Sequence, residues 1–549
     1  MNLDDIIKNI NFSALKKDLK SAILSLINII EKLSSRLKEQ KAEIQQLRDE
    51  VNRLKGEQGK PDIKPNTTND ISSEKERKKN KRAKKKTKKQ PKSELIKIDR
   101  TETCHVDKNM LPKDAEFKDY RISIIQDIQI KTDNIEFKRE VYYSPSENKS
   151  YIAPLPNGYE GGFGPTLKSW TITFKNAYNI SESKIRSFLT NAGIYISKGT
   201  ITNILIKKHQ QFHQEKSNIV EAGLQTTTYQ AIDDTKARVN GQNYHTHILG
   251  NPYFTAFFTK PQKNRSTVLE VLSNDKEITY CLNDLALCIL KQLTVTKKYF
   301  KELESFKSEK NYQKIEFELL ILQLFPSIGK QVKTKIFEAA AIAAYRKGVD
   351  RPVVNILLCD NAPQFKLICE NLALCWVHDG RHYKRLSPVF KYNAKKINAF
   401  LKKYWKFYHK LLSYKASPSD EKAQQLSDNF DQLFSTVTGY NDLDDRIAKT
   451  KSYKMELLLA LKYPELPLHN NDMELGARVC ARKRDVSLHT MTDEGTKAND
   501  TFLTIIETCK KLGVNPFKYI LDRINKSYQL PALDQLILQK YADLAGNYF

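Results

Sequence analysis

The sequence predicts an α/β protein: a mixed sheet forms its core, with helical stretches before, between and after the strands. Three observations carry that expectation. First, TTTYQAIDDTKARV reads as a strand and meets Asn240-Gly241, a hairpin dipeptide that tolerates the positive φ such a turn needs; QNYHTHIL follows as a second strand. Gly250-Asn251-Pro252 turns the chain again into YFTAFFT, which completes an antiparallel meander of three strands. Second, VVNILLC runs seven residues without a charge and ends on Asp360, the pattern of a parallel strand covered on both faces. Third, helical periodicity separates these strands. A helix begins near Ser266 (STVLEVL), and a long helical stretch including FELLILQLF and KTKIFEAAAIAAYRKG runs to about residue 348. A short helix (PQFKLICENL) should lead to a fifth strand, ALCWVH, before further helices and a last helix that opens at HNND and continues MELGARVCARKRDV.

Composition limits the partners. The chain has 549 residues, enough for roughly three or four domains. Lys and Arg exceed Asp and Glu by 91 to 64, a net charge of +27 that points to nucleic acid or to an anionic membrane surface. No apolar run reaches the roughly 18 residues of a membrane span, and residues 1–20 carry mixed charges with no secretory core. A nucleic-acid partner, no membrane, and a cytoplasmic location are therefore expected. The eight cysteines are scattered and form no C-x-x-C pair, which argues against a disulfide framework and against a zinc ribbon. Cys104-His105 offers half of a metal site with no visible second half.

Residues 1–56 are expected to form a coiled-coil oligomerisation helix. Ile23, Leu26, Ile30, Leu33, Leu37, Gln40, Ile44, Leu47, Val51 and Leu54 alternate spacings of three and four, and nine of these ten are apolar. A homodimer or higher homo-oligomer follows, the alternative being a helix packed on its own chain. Residues 57–94 read as a disordered basic linker. Within it RKKNKRAKKKTKKQPK carries eleven basic side chains in sixteen, Lys84, Lys85 and Lys86 among them, an arm suited to salt-sensitive, sequence-blind phosphate binding. Residues 95–165 read as a small β-rich module (YRISIIQDIQI, IEFKREVYYSP), and 166–224 as a helical, helix-turn-helix-like DNA-binding region. The remaining boundaries are 225–382 for a catalytic core with a helical insertion at about 275–350, 383–465 for a second helical insertion, and 466–549 for the last acidic helix and its C-terminal neighbours.

Asp233 on the first strand, Asp360 closing the fourth and Glu474 just inside the late helix stand where elements begin or end. Strand-strand-strand-helix-strand-helix-strand-helix with acids at those positions is the ribonuclease-H-like order. In such a sheet the first and fourth strands are neighbours, and the final helix delivers the third acid. Carboxylates from separate segments on a basic chain suggest Mg2+ (or Mn2+) chemistry on a polyanion. A capping role for Asp360 at the start of PQFKLIC is the alternative for that residue.

The runs YQAIDDTKARVNG, LLCDNAPQF, ALCWVHDGRHYKRL and YPELPLHNNDMELGARVCARKRDVSLHTMTDEGTKANDTFLTIIETCKKLGVNPFKYI resemble transposases of the insertion sequence 66 family over roughly residues 160–525. The resemblance implies a DDE-type enzyme with Asp233, Asp360 and Glu474 as catalytic, metal-binding acids. Asp233 rather than Asp234 is chosen because DDT aligns with the family's Asp-Glu-Thr, and adjacent strand residues face opposite sides. Asn470 and Asn471 match the two asparagines before the family's glutamate and are expected to cap that helix and shape the cleft. Three departures stand out: the family's cysteine-paired zinc ribbon has no counterpart beyond Cys104, Asp234 replaces a glutamate, and the stretch from Asp233 to Asp360 is long.

Around this frame, His378, Arg381 and His382 either approach the scissile phosphate or serve the fold. Arg478, Arg482, Lys483 and Arg484 are expected to meet backbone phosphates. The aromatic-basic run KKYWKFYHK (402–410) fits core packing better than base stacking. The expected activity is cleavage at the ends of an insertion sequence and transfer of the 3′-hydroxyl to target DNA. The alternatives are a nuclease of the same core without strand transfer, and a non-catalytic, coiled-coil DNA-binding protein.

Overall fold

The computed structural model describes Ile7, Ile10, Phe12 and residues 14–54, 96–112, 114–348 and 352–546. Lys84, Lys85 and Lys86, with the rest of the basic linker 57–94, lie outside the described residues.

A five-stranded mixed sheet organises the core. Strands β1 (Val141–Ser144) and β2 (Lys149–Ile152) form an isolated hairpin ahead of it. The meander follows as β3 (Tyr229–Val239), β4 (Gln242–Gly250) and β5 (Thr255–Lys260), then a short pair β6 (Tyr280–Cys281) and β7 (Asn311–Tyr312), then β8 (Ile356–Cys359) and β9 (Asn371–Leu374). The sheet order is β5-β4-β3-β8-β9, with β3 antiparallel to β4 and parallel to β8. At the hairpin tip Asn240 and Gly241 both have positive φ (47° and 75°), which lets a two-residue turn follow the strand twist. β8 is buried along its whole length, as its charge-free run requires.

β5 is an edge strand, and a helix covers it. The helix Asp493–Leu512 places Asp500, Thr504 and Thr508 one turn apart along that edge. Asp500 Oδ2 accepts from the Thr259 amide (2.6 Å), Thr504 Oγ1 from the Phe257 amide (3.1 Å) and Thr508 Oγ1 from the Thr255 amide (3.3 Å). Outward-facing strand amides are thus satisfied by side chains instead of a sixth strand.

Helices fill both long insertions. Between β5 and β8 lie Arg265–Leu272, Asp284–Gln292, Lys297–Ser305, Lys314–Leu324 and Lys330–Lys347. Asn264 caps the first through the Thr267 amide, two residues ahead of the expected start at Ser266. After β9 come Trp376–Lys384, Lys391–Ala416, Asp420–Leu433 and Asn441–Lys451. The aromatic run lies in the second of these helices, and Tyr404, Trp405, Phe407 and Tyr408 are all buried, so core packing is where those side chains go.

Three expectations about local structure give way. ALCWVH is not one strand: β9 ends at Leu374, and Trp376 starts a helix, held by its indole N–H on the Leu457 carbonyl. PQFKLICENL forms only a 3-10 turn at Pro363–Phe365 before the chain returns to extended backbone. In the module expected at 95–165, the described residues of 111–140 form no helix or strand, and Ile122, Ile125, Ile128 and Ile130 are exposed. Alternating apolar residues do not make a strand without a neighbour to pair with.

The N-terminal helix Lys17–Leu54 has two unlike halves. Ile27 packs with Ile7 and Phe390, Glu31 accepts from the Val389 amide and from Asn393 Nδ2, and Asn28 Nδ2 donates to Asn441 Oδ1 (3.0 Å). Beyond Lys32, the seam residues Leu33, Leu37, Ile44, Leu47 and Val51 are exposed.

Candidate active site

The site forms at the end of the sheet where β3 and β8 stand side by side. Ala231 pairs with Leu358, so two further steps in the same parallel register bring Asp233 beside Asp360. Asp360 is the first residue after β8 and accepts from the Ala362 amide (3.1 Å), so its carboxylate also shapes the turn that follows. The N–H that Asp233 accepts is the backbone amide of Asp234 (2.8 Å), and among the described residues it has no ion-pair partner. Its carboxyl is pushed up to about 7, first by burial and then by the neighbouring charges of Asp360, Asp234 and Glu474. Asp234 faces the other way. Lys263 Nζ (2.7 Å) and Gln364 Nε2 (2.8 Å) hold its two oxygens, so the adjacent acids of DDT receive opposite treatment.

Glu474 arrives on the helix Asn471–Ser487. Asn470 occupies the cap position, but its side chain does not cap the helix as expected. It reaches across to the strand, donating from Nδ2 to the Ile232 carbonyl (2.7 Å), while its backbone N–H points at Cys375 Sγ (3.3 Å). One residue thus ties the start of this helix to β3 beside Asp233 and to the end of β9. Asn471 directs its amide at His469 Nδ1 (3.4 Å). Gly476 sets how closely the helix lies on the sheet: a Cβ there would come within 2.8 Å of Ile248 Cγ2.

The helix Trp376–Lys384 supplies the partners of Glu474. Arg381 Nη2 donates to Glu474 Oε2 (2.8 Å), His378 Nε2 stands 3.7 Å from Oε1, and Arg381 Nη1 lies 3.1 Å from His378 Nε2. Burial lowers the His378 pKa, against the opposing pull of Glu474. Among the described residues, the set of three potential ligands whose donor atoms all lie within 4.8 Å of one another is Cys375, His378 and Glu474, rather than the three acids. Burial raises the Cys375 thiol to about 11, which keeps it protonated and a poor metal ligand. Carboxylate oxygens, which Asp233, Asp360 and Glu474 each carry, are the donor type that suits Mg2+ or Mn2+.

The basic residues divide. Arg478 and Arg482 are exposed on the Glu474 helix. Arg484 is spent on structure, donating to the Lys236 carbonyl and to Thr235 Oγ1 (3.3 Å). Lys483 turns inward, bound to Asn176 Oδ1, and burial brings its pKa down to about 7. Surface phosphate contact therefore fits Arg478 and Arg482, whereas Lys483 belongs to the interior. His382 is exposed. Upstream, helices Glu182–Asn191 and Lys198–Ile206, each capped by a serine, are joined through Gly193 at φ 83°, the two-helix arrangement read from the sequence.

Against known proteins, residues 307–498 match the family model described as Transposase IS66 family. The chain is also 32% identical over 308 residues to "Uncharacterized protein y4jO" of Sinorhizobium fredii (strain NBRC 101917 / NGR234), an overlap covering 56% of this chain and 94% of that protein. The chain belongs to the IS66 transposase family. No solved structure matches it. Membership makes it a DNA-processing protein of the transposase kind, and the matched segment includes Asp360, His378, Arg381 and Glu474. Among the described residues, no helix is long and apolar enough to cross a membrane.

Sequence reasoning missed Lys263 and Gln364, which hold Asp234, and gave Cys375 no place in the site. A signal was present: Cys375, His378 and Arg381 recur every third residue, which on a helix forms one face. Reading ALCWVH as a strand concealed it.

Proposed function

We propose that this protein is a DDE transposase with a ribonuclease-H-like core, which cuts phosphodiesters at the ends of an insertion sequence and joins the freed 3′-hydroxyl to target DNA. One observation carries the reading. The parallel register of β3 and β8 sets Asp233 beside Asp360, and Asn470 ties the start of the Glu474 helix to the same stretch of β3. The sheet order β5-β4-β3-β8-β9 supports the ribonuclease-H-like assignment.

Asp233, Asp360 and Glu474 would hold Mg2+ or Mn2+. Such ions, bound as a pair, supply Lewis acidity to the attacking and leaving oxygens of a phosphodiester. The chain's own residues do the rest. Lys263 and Gln364 neutralise and anchor Asp234, so that Asp233 alone of the two turns toward Asp360. Arg381 orients the Glu474 carboxylate and offsets its charge, and His378 packs against both. Arg478 and Arg482 present cationic side chains on the outer face of the Glu474 helix for backbone phosphates. The free half of the N-terminal helix offers its exposed apolar seam to a second copy, giving a homodimer or larger assembly that can hold two DNA ends.

The test uses the full chain and duplex DNA carrying the inverted repeat that flanks its reading frame. With Mg2+, nicking at the repeat boundary and joining to a target plasmid are expected. EDTA, Asp233→Asn, Asp360→Asn or Glu474→Gln should each abolish both while DNA binding persists. Nicking without any joining would reduce the reading to a nuclease. Binding with neither step would leave a DNA-binding protein.

A further inference from the structure

Beside the candidate active site lies a cleft of about 580 Å3, inside the roughly 300–1,000 Å3 range of sites that hold one small molecule or nucleotide. Its lining comes from both helices of the helix-turn-helix-like pair, the far end of β3, the last turn of the Glu474 helix and residues 488–492. The apolar lining that reaches the surface includes Ile206 and Ala237, half-buried, and Val486, exposed, while Leu205, Phe502 and Leu503 are buried. Lys175, Lys198, Arg238 and Arg484 surround them, against one acid, Glu182, which pairs with Lys175 at 3.6 Å.

The mouth is unusual. Leu488 follows the Glu474 helix at φ 55°, ψ −69°, a conformation an L residue holds only when its surroundings impose it. The His489 amide closes a tight turn over it onto the Ser487 carbonyl (2.6 Å), and the hairpin holds the loop that follows: the Asn240 amide donates to the Thr490 carbonyl (2.8 Å), and Val239 bridges Thr490. The loop is thereby fixed to the tip of β3–β4 with Leu488 71% and Met491 62% exposed. Two large apolar side chains are held out into solvent at the lip of a cationic cleft.

The distance to the acids is short. Five residues of strand separate Asp233 from Arg238, about 16 Å. Nine residues of helix separate Glu474 from Lys483, about 14 Å. A stacked strand advances about 3.4 Å per nucleotide, so the cleft lies about four or five nucleotides from a phosphate at the acids. A paired duplex presents phosphates and groove edges and cannot reach an apolar floor. An unstacked base presents a flat apolar face with a phosphate attached, matching floor and rim together. The gap that base leaves in the stack is filled by an apolar side chain standing beside it.

We propose that this cleft receives one nucleotide extruded from the DNA end, with Leu488 and Met491 entering the stack in its place. The proposal rests on the transposase reading above and adds a second contact that fixes the end relative to the acids.

The experiment places 2-aminopurine singly at each position near the cleaved phosphate of the inverted-repeat duplex. Anisotropy (binding), fluorescence (unstacking) and Mg2+-dependent nicking are read in the same samples. With the wild-type chain, one position should brighten several-fold on binding. Leu488→Ser combined with Met491→Ser should remove most of that brightening and slow nicking roughly tenfold, and an abasic site at the same position should restore the rate. Both side chains are exposed, so an unchanged thermal melt shows that the double variant is folded. Binding and nicking with no bright position, or brightening that survives the double variant, overturns the cleft proposal and leaves the transposase reading standing. Absence of both binding and nicking overturns the two together.

Discussion

The chain buries acids in two kinds of place, and the contrast separates scaffold from chemistry. Asp379, on the helix after β9, pairs with Arg446 and accepts from Thr450 Oγ1 and Tyr404 Oη. Asp500 receives the Thr259 amide and hydroxyl against the edge strand. Each is surrounded by donors, as a buried carboxylate that serves the fold must be. At the sheet end the pattern inverts. Asp233 receives its neighbour's amide and sits in the field of further carboxylates. Negative charge gathered around Asp233 with so few donors raises the free energy of the folded chain, and the metal proposed above would relieve it.

Substitutions should split along the same line. The largest effect is expected for Asp233→Asn, Asp360→Asn or Glu474→Gln, which should lower Mg2+-dependent cleavage by a factor of about a thousand or more. Thermal stability should not fall for Asp233→Asn or Asp360→Asn, and a marked drop in melting temperature would move that acid into the scaffold class; Glu474→Gln also weakens the pair with Arg381, so some loss of stability is expected there. Asp379→Ala is expected to behave oppositely. It strands Arg446 in the interior at a cost of about 3–5 kcal/mol, measurable by urea unfolding. If unfolding is unchanged, the Asp379 cluster is not structural.

Gly476→Val lies between the two classes. The added side chain meets Ile248, so about 1–3 kcal/mol of overpacking and a displaced Glu474 should appear together as lost stability and lost cleavage. Arg381→Gln should leave the fold intact and reduce cleavage roughly tenfold by freeing the Glu474 carboxylate. An equal loss of DNA affinity would mean instead that Arg381 contacts the substrate. The smallest change in the core is expected from Leu37→Ser with Ile44→Ser. These should weaken self-association in sedimentation while leaving the melt of the sheet domain unmoved.

Much of the architecture was legible because local chemistry and tertiary context agree there. The Asn240-Gly241 turn and the charge-free β8 run each admit one reading, and both elements form where expected. Where Cys375-Trp376-Val377 looked like strand, the outcome was decided by burial. Trp376 sinks into a cluster with Tyr404, Phe407 and Phe430, contacts that no local pattern announces. The residues after Leu111 alternate convincingly yet find no partner strand. At the site, the acids stood out as carboxylates at element ends. Their companions Lys263 and Gln364 did not, since a lone Lys and Gln carry no periodicity and meet Asp234 only after folding. The i, i+4, i+8 series Asp500, Thr504 and Thr508 was readable as one helix face, but not as the cover of a strand edge.

The division of the N-terminal helix has a mechanical consequence. Its first half is bolted to the body through Ile27, Asn28 and Glu31, so the remainder, about 30 Å from residue 35 to 54, projects as a rigid spar instead of swinging on a tether. Two copies zipped along their spars would stand at a set span and orientation, a ruler built into the chain for the spacing of whatever each body grips.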